Sequence, residues 1–374
     1  MNILHINGNY MYSNLHQLLI KELNKMNSEN TVFVPTYDKY KKKKDILEND
    51  RIIIKECFKK NDRFLFFYKQ RKIEEALKKV CDIDLFQLSH AYTLFTDGNV
   101  SMNLKAKYGI PYVVAIRNTD VNVFLKKRID LRKQGLKILK NASAIFFLSP
   151  SYRKQVLSKY VPYQMKFDII QKSYVIPNGI DDYWIFNTPS KKSEEDLNRI
   201  QNKKIKVIYV GQIDKNKNII LTQKALSILR NKGYETEFTI VGKIKDRREY
   251  QHIIKYPYTR YMSFQSKESL IKLYRNNDIF IMPSHYETFG LVYAEAMSQG
   301  LPVIYTRNQG FDQQFKEGEV GYSVNDKKPD ELSNKIQLIC NNYKKISENS
   351  QNMSKKFKWS EIAQVYMNIY KSII

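Results

Sequence analysis

The segment from residue 283 to residue 300 constrains the fold of this chain more than any other stretch. Short apolar runs at 278–282 and 301–305 flank it, and each predicts a buried strand. Between them, the spacing of the apolar residues predicts a helix over 291–299, with Thr288 as a candidate N-cap. A strand, a polar turn, a helix and a second strand in this order are typical of a parallel α/β sheet.

The polar turn carries groups that suit a diphosphate. Free N–H groups at a helix N-terminus bind anions, and Gly290 lets a ligand approach the backbone closely. Glu287 precedes the helix and Glu295 lies in its second turn, so a carboxylate stands on each side of the anion site. A sugar nucleotide needs donors for its diphosphate and acceptors for its hydroxyls. The turn therefore predicts a site for a sugar nucleotide.

The stretch from Glu287 to Ile304 resembles the signature of the retaining glycosyltransferases of family 4, with its two glutamates at E-x7-E spacing. The resemblance implies an α/β protein of the GT-B fold, in which two Rossmann-like domains face each other across a cleft. In that family the first glutamate lies by the donor sugar, the Gly-Leu amides by the diphosphate and the second glutamate by the ribose. These positions are Glu287, Gly290, Leu291 and Glu295 here. The alternative is an ordinary βαβ unit with solvated glutamates.

A second turn, at 211–218, resembles the family's G-R-L-x-x-x-K-G segment and follows a predicted strand over 205–210. Lys217 matches the family's lysine, whose ammonium can meet the diphosphate as charge develops on the leaving group. Gln212 replaces the family's arginine and Asn218 its glycine. The alternative for Lys217 is one more surface lysine in a lysine-rich chain.

The resemblance assigns residues to two sets, by their match to the family's motifs. The catalytic residues that it implies are Glu287, Lys217 and Gln212. The donor-binding residues that it implies are Gly8, Gly211, Gln212, Lys217, Met262, Glu287, Thr288, Phe289, Gly290, Leu291 and Glu295. For Gly8, in the first β-to-α turn, a simple tight turn is the alternative. Met262 stands near the place where the family contacts the nucleobase.

Arg117, Asn118 and Asp120 follow a predicted strand over 112–116, so we expect them at the ligand-binding edge of the sheet, close to the acceptor or the sugar. Many family members have a histidine near this point. Arg117 in its neighbourhood implies an acidic acceptor or another role for the cation. The alternative is a loop that Asp120 holds as the N-cap of the next helix.

Length and pattern predict two α/β domains in the 374 residues. We predict an N-terminal acceptor-side domain over 1–186 and a nucleotide-sugar-binding domain over 203–358, joined by a polar linker at 187–204. The resemblance implies that the terminal helix, 359–374, crosses back and completes the first domain. Other elements predicted in the first domain include a strand at 83–88 and a helix at 123–141.

Cysteine use and the N-terminus predict a cytoplasmic protein. Cys57, Cys81 and Cys340 are scattered, which argues against a disulfide framework and fits a reducing compartment. Residues 1–8 lack the basic and apolar regions of a signal peptide, and the sequence contains no run of about eighteen apolar residues.

Metal-independent transfer is expected, with no cofactor beyond a UDP- or GDP-linked sugar as the donor substrate. The cysteines and histidines show no metal-ligand spacing. Asp82 and Asp84 form a D-x-D pair, but it opens a predicted strand instead of a cleft loop. Lys217, Gln212 and helix amides would then stabilise the leaving diphosphate.

A net charge of +25 attracts anionic partners. Lys39, Lys41–Lys44, the aromatic and basic stretch 63–72 and the basic helix at 123–141 all lie in the first half of the chain. Together they predict contact with an anionic membrane surface through the first domain. The alternatives are a solvated helix whose aromatic residues face the core, and a compositional bias towards Lys, Asn and Ile. Since no helix-turn-helix, RNP-like or zinc pattern is visible, no nucleic-acid partner is expected.

The sequence therefore predicts a retaining glycosyltransferase that moves a sugar from a nucleotide-diphosphate sugar to a saccharide or lipid-linked acceptor, in surface polysaccharide assembly. We expect it in the cytoplasm, with peripheral binding to the inner face of the cell membrane as a further hypothesis. The alternatives are a GT-B-fold sugar-nucleotide epimerase and a catalytically silent scaffold that binds a membrane or a polyanion.

Overall fold

The computed structural model describes residues 1–12, 14–37, 51–190 and 192–374. The chain divides into two compact units. The first unit comprises 1–148, 153–177 and 359–374, and the second unit comprises 149–152 and 178–358. Lys39 and Lys41–Lys44, which we predicted to face a membrane, lie outside the described residues.

The strands and helices of the described residues are as follows. The strands are β1 Asn2–Ile6, β2 Glu29–Thr36, β3 Arg51–Glu56, β4 Leu88–Ala91, β5 Tyr112–Ile116, β6 Ala144–Phe147, β7 Ser173–Val175, β8 Lys204–Val210, β9 Glu235–Val241, β10 Thr259–Met262, β11 Ile279–Met282, β12 Val303–Thr306 and β13 Gly321–Val324. The α-helices are α1 Leu15–Asn24, α2 Phe66–Val80, α3 Thr96–Tyr108, α4 Arg132–Asn141, α5 Pro150–Lys159, α6 Tyr163–Gln171, α7 Asp182–Phe186, α8 Glu194–Gln201, α9 Ile219–Asn231, α10 Arg247–Ile253, α11 Lys267–Arg275, α12 Leu291–Ser298, α13 Pro329–Asn341, α14 Tyr343–Met353 and α15 Trp359–Ile373. Among the helices of this described part, none is long and apolar enough to cross a membrane.

The first unit is built on a parallel sheet with the strand order β3-β2-β1-β4-β5-β6-β7. Helices cover both faces, which is why its strands are apolar along most of their length. On one face α1 and α15 pack on the sheet, and on the other α2 and α3 do so. The strand order changes direction between β1 and β4, and ligands of such sheets bind outside the carboxyl ends of the strands at this point.

The second unit contains a parallel sheet with the order β10-β9-β8-β11-β12-β13. Its order changes direction between β8 and β11. The turns that follow these two strands are therefore neighbours at the carboxyl edge, where the sequence analysis placed the donor site.

The strand predicted at 83–88 is wrong. Residues Ile83–Leu85 form a 3-10 helix, and the strand begins only at Leu88. Ile83 is 5% exposed but Leu85 is 61% exposed, so only part of this apolar run packs in a core. The true strand was hidden because two of its buried residues are polar: Ser89 is hydrogen-bonded to Ser101 at 2.6 Å and His90 to Tyr370 at 2.6 Å.

The helix predicted over 123–141 is also interrupted. A π-helix spans Asp120–Leu125, a 3-10 helix spans Ile129–Leu131, and α4 starts at Arg132. Arg128 breaks the helix with a non-helical backbone, φ −97° and ψ 72°. The Arg132 guanidinium donates a hydrogen bond to the carbonyl of Leu125 at 2.6 Å and so bridges the interruption.

The predicted linker and the end of the first predicted domain belong to the second unit. Ser193 caps α8 by accepting the Asp196 amide at 3.1 Å, and Ile200 of this helix is buried. Arg199 forms a salt bridge with buried Asp278 at 2.8 Å. The second unit begins at Asn178, not at 203, because Trp184 lies in its core.

The terminal helix α15 belongs to the first unit, although the second unit precedes it in the chain. Its buried side chains, among them Tyr366, Met367 and Tyr370, pack with α1 and the sheet. The first unit therefore needs this helix to close one face of its core.

We expect Met367→Ala to lower the free energy of unfolding by about 2–5 kcal/mol, because Met367 is 1% exposed and its loss leaves a cavity. Val365→Ala on the same helix is the control: Val365 is 46% exposed, so the change should stay within about 0.5 kcal/mol. Urea unfolding monitored by circular dichroism measures both. Equal losses for the two variants would show that this face of α15 is not packed as described.

Candidate active site

The turns after β8 and β11, residues 211–218 and 283–290, leave neighbouring strands of the second sheet at the same edge. One carries Lys217 and the other carries Glu287. The Lys217 ammonium lies 2.7 Å from Glu287 Oε2, and the two side chains are 20% and 14% exposed. The structure thus brings the two predicted catalytic residues into direct contact. Because both keep some exposure, an incoming anion can reach the ammonium.

Asn216 joins the two turns through the backbone. Its side-chain amide donates to the Tyr286 carbonyl at 3.0 Å, and its side-chain oxygen accepts the Tyr286 amide at 3.1 Å. Its own carbonyl accepts the His285 amide at 2.8 Å. Sequence analysis missed this residue. An Asn in the turn beside a predicted anion site is the signal that could have found it, since Asn pairs with backbone in both directions.

The structure shows why an asparagine can stand at position 218, where the family has a glycine. Its backbone is left-handed, φ 53°, a conformation that Asn tolerates better than most residues. Its side-chain amide donates to the carbonyls of Pro283 at 3.1 Å and Asp326 at 2.8 Å. The asparagine therefore keeps the turn's shape and adds two hydrogen bonds that a glycine could not make.

The turn after β12 bonds to the backbone of Glu287. The Glu287 amide donates to Gln309 Oε1 at 3.0 Å, and the Gly310 amide donates to the Glu287 carbonyl at 2.8 Å. A Cβ on Gly310 would lie 1.7 Å from the Thr288 carbonyl oxygen, so only glycine fits here. Gln309 and Gly310 are further positioning residues that the motif did not single out.

The start of α12 differs from its prediction. Its N-cap is Gly290, whose φ of 74° favours glycine, and not Thr288. The Thr288 amide donates to Glu287 Oε1 at 3.1 Å instead. Phe289 is 2% exposed and packs against core rings, so its side chain anchors the turn, while half-buried Leu291 is the first helical residue. The Gly290 and Leu291 amides thus open the helix beside the Lys217–Glu287 pair.

Glu295 lies in the second turn of α12 and is half-buried. Burial raises the pKa of its carboxyl to about 7, while the Lys267 ammonium acts in the opposite direction. Lys267 forms a salt bridge with Asp181. Glu295 is therefore a carboxylate whose charge changes close to neutral pH.

Three other predicted donor-site residues lie on the same edge of the second sheet. A Cβ on Gly211 would lie 2.6 Å from the Tyr209 hydroxyl, which donates to the carbonyl of Gln212 at 2.6 Å. The Gln212 side chain is exposed. Half-buried Met262 ends β10, two strands from β8, which corresponds to about 10 Å.

The predicted residues Gly8, Arg117, Asn118 and Asp120 lie in the first unit. Asp120 is 1% exposed and accepts the amides of Arg117, Leu94 and Phe95 at 2.9–3.3 Å. Its burial raises the pKa of the carboxyl to about 6 despite these bonds. Asp120 therefore positions the loop, but not as the helix N-cap of our alternative: Thr119 is the N-cap, and Asp120 is the first residue of the π-helix. Arg117 Nε donates to the Tyr92 carbonyl at 3.3 Å, and Asn118 is hydrogen-bonded to Asn122.

A pocket of about 490 Å³ opens at the carboxyl ends of the strands of the first sheet, and we call it the first-unit pocket. Gly8 and Asp120 line it, as do basic and aromatic residues that the sequence analysis did not place there: Lys60, Arg63, Lys69, Tyr12, Tyr37, Phe58 and Phe124. Four of them, Phe58, Lys60, Arg63 and Lys69, were missed because they come from a segment, 58–72, that looked like a surface stretch. Among the described residues, no group of three or more Asp, Glu, His or Cys side chains is arranged to hold a metal ion.

The molecule thus has two parallel-sheet units, with a Lys–Glu site at the switch point of the second. This is the arrangement expected of a glycosyltransferase of the GT-B fold. Comparisons bear this out. The model of "Glycosyl transferases group 1" matches residues 190–358 and that of "Glycosyltransferase Family 4" matches residues 17–184. The chain therefore belongs to the family 4-type glycosyltransferases, which confirms the predicted family.

Relatives are similar over part or most of the chain. A probable sucrose-phosphate synthase of Thermosipho melanesiensis is 28% identical over 54% of this chain, which spans only 48% of that protein. An uncharacterized glycosyltransferase of Methanocaldococcus jannaschii is 24% identical, with 79% of this chain and 78% of that protein covered. The capsular polysaccharide biosynthesis glycosyltransferase CapM of Staphylococcus aureus is 25% identical, with 62% and 63% covered.

Solved structures share the fold over the whole chain, which confirms the predicted fold class. The lipopolysaccharide outer core galactosyltransferase WaaB superposes with a TM-score of 0.74 at 15% identity, and 100% of both chains is covered. Sucrose-phosphate synthase of Thermosynechococcus elongatus gives 0.70 at 20% identity, covering 100% and 99%. Anabaena HepE in complex with UDP and glucose gives 0.64 at 17% identity, covering 100% of both chains.

Proposed function

We propose that this glycosyltransferase moves a sugar, with retention at the anomeric carbon, from a UDP- or GDP-linked donor to a saccharide or lipid-linked acceptor. The observation that carries the proposal is the Lys217–Glu287 contact of 2.7 Å beside the glycine-capped start of α12. An ammonium, helix N-terminal amides and a carboxylate are the groups that a departing nucleoside diphosphate and its sugar require.

Relatives support the chemistry of donor and product. HepE of Anabaena is described in complex with UDP and with UDP-glucose, and CapM is named for capsular polysaccharide biosynthesis. We therefore propose a nucleotide sugar as the donor and surface polysaccharide assembly as the setting. An epimerase of the same fold would convert the donor without an added acceptor, and a silent scaffold would leave it intact.

In the proposed reaction the diphosphate lies against the Gly290 and Leu291 amides and draws the Lys217 ammonium away from Glu287. The freed ammonium then stabilises the negative charge that grows on the leaving diphosphate. Glu287, released from the ion pair, faces the reacting sugar, and Glu295 accepts hydrogen bonds from the ribose hydroxyls. We propose that these groups act without a divalent metal ion and with no further cofactor.

We expect Lys217→Ala to lower kcat by roughly a hundredfold or more, the scale of losing one donor to a developing oxyanion. Lys215→Ala, in the same 3-10 turn and exposed, should leave kcat unchanged. Initial rates of nucleotide release with a panel of nucleotide sugars and acceptors measure both, and added EDTA should not slow the wild type. An unchanged kcat/KM in Lys217→Ala would remove Lys217 from the mechanism; a rate that needs Mg²⁺ or Mn²⁺ would refute metal independence.

The two glutamates should differ in their effects. We expect Glu287→Gln to act mainly on kcat and Glu295→Gln mainly on donor affinity. Because the folded pKa of Glu295 is about 7, its carboxylate is lost as the pH falls from 8 to 6, and wild-type affinity for UDP-glucose should fall with it. The Glu295→Gln variant should show a flat profile. Titration at several pH values tests this, and a profile that persists in the variant would contradict the role given to Glu295.

We also propose that the first unit docks on an anionic membrane. The aromatics of 64–68 do not all face the core: Phe66 is 7% exposed, whereas Phe64, Leu65, Phe67 and Tyr68 are 51–66% exposed. The neighbouring residues Arg63, Lys69, Arg71 and Lys72 are basic. Exposed aromatics beside basic side chains suit the interface of an anionic bilayer, where each basic residue contributes about 1 kcal/mol.

The docking prediction is that the protein co-sediments with phosphatidylglycerol vesicles and not with phosphatidylcholine vesicles, and that binding fades in high salt. The double variant Phe64→Ser and Phe67→Ser should lose binding. The double variant Ile254→Ser and Leu338→Ser, which changes exposed apolar residues of the second unit, should keep it. Equal loss in both variants, or equal pelleting with both lipids, would remove the membrane proposal and leave the enzyme assignment intact.

A further inference from the structure

One wall of the first-unit pocket is basic. Lys60, Arg63 and Lys69 line it, and among the described residues none of the three has a carboxylate within 4.0 Å. Lys72, one helical turn beyond Lys69, does have one: its ammonium lies 2.8 Å from Asp62. Within the described ranges the pocket cations are therefore open to a ligand, whereas Lys72 is paired.

Lys69 is the most constrained of the three. It is half-buried, and its ammonium lies 4.4 Å from the centre of the Phe58 ring. Burial lowers the pKa of this ammonium, and the Asp97 carboxyl, which acts in the opposite direction, does not offset the effect. An anion that enters the pocket therefore stabilises the charge of this half-buried ammonium more than that of a fully exposed one.

The two acids of the pocket, Asp97 and Asp120, bond to local groups, and in the described part of the chain neither forms an ion pair with these cations. Asp120 accepts three backbone amides. Asp97 accepts the Thr93 hydroxyl at 3.0 Å and the Gly8 amide at 3.4 Å, and burial raises the pKa of its carboxyl to about 7. The lining thus contains three basic side chains against two acids, and both acids already bond to other groups.

The other walls suit a sugar ring. Aromatic and hydroxyl residues also line the pocket: Tyr12, Tyr37, Phe58, Phe124, Thr93, Thr96 and Thr119. The pocket lies at the switch point between β1 and β4, where ligands of such sheets bind. The volume of about 490 Å³ suits one or two sugar units.

Resting on the proposed function, we propose that the first-unit pocket selects an acceptor that carries an anionic group, a phosphate or a carboxylate, against Lys60, Arg63 and Lys69. Its sugar ring lies on the aromatic residues. The same segment, 58–72, also contains exposed Phe64, Leu65, Phe67 and Tyr68, so the anion can belong to a soluble sugar phosphate or to a lipid-linked saccharide phosphate.

The test compares glucose, glucose 6-phosphate and glucuronate, measured by saturation-transfer NMR with the full chain at low and high salt. The two anionic sugars should bind at least tenfold more tightly than glucose, and 0.5 M salt should remove the difference. The triple variant Lys60→Gln, Arg63→Gln and Lys69→Gln should lose this tenfold preference. Lys72→Gln should keep it within about twofold.

Equal binding of glucose and glucose 6-phosphate, or a preference that survives the triple variant, would overturn the proposal. Binding of inorganic phosphate as tight as that of glucose 6-phosphate would also overturn it, since the ring would then contribute nothing. Competition separates the sources: phosphatidylglycerol vesicles that displace bound glucose 6-phosphate assign the anion to a lipid-proximal phosphate, and vesicles that leave it bound assign it to a soluble sugar. The thermal shift with UDP-glucose separately measures donor binding to the second unit. A failure there with the sugar preference intact would reject the proposed donor and not the pocket.

Discussion

The backbone at Glu287 is held from two sides, and the site of the second unit depends on this. On one side the Asn216 side chain bonds to the backbone amide and carbonyl of Tyr286. On the other side Gln309 and Gly310 bond to the backbone amide and carbonyl of Glu287. Three turns from the carboxyl edge of one sheet thus share one hydrogen-bonded layer. Because the layer fixes the backbone, the Lys217–Glu287 contact needs no adjustment of the main chain, and binding energy is not spent on ordering a loop.

Four carboxylates of the molecule differ in their burial and in the groups that bond to their oxygens. Asp120 and Asp278 are almost fully buried, and backbone amides or guanidinium groups occupy their oxygens. Glu287 and Glu295 remain partly exposed, and each has a cation close by. A ligand can exchange places with a cation at a half-open site, but it cannot displace three backbone amides inside a core.

The sequence alone could predict the elements whose chemistry is local. The E-x7-E stretch and the register of Lys217 led to two residues that lie 2.7 Å apart, seventy positions apart in the chain. The strand at Leu88–Ala91 escaped, because Ser89 and His90 look like surface residues until Ser101 and Tyr370 are known to meet them. The first-unit pocket escaped for a similar reason: nothing local tells whether Lys69 points to solvent or into a pocket beside Phe58. Partners distant in sequence decide such cases.

The crossing of α15 sets an order for folding. The second unit is almost continuous in the chain, whereas one face of the first unit's sheet waits for residues 359–374. During synthesis the ribosome delivers most of the first unit early, yet its apolar surface on that side stays uncovered until the last helix emerges. The unit made first is therefore the unit completed last. Contacts between α1 and α15 span nearly the whole chain, the kind of sequence separation that slows folding and exposes a nascent protein to chaperones.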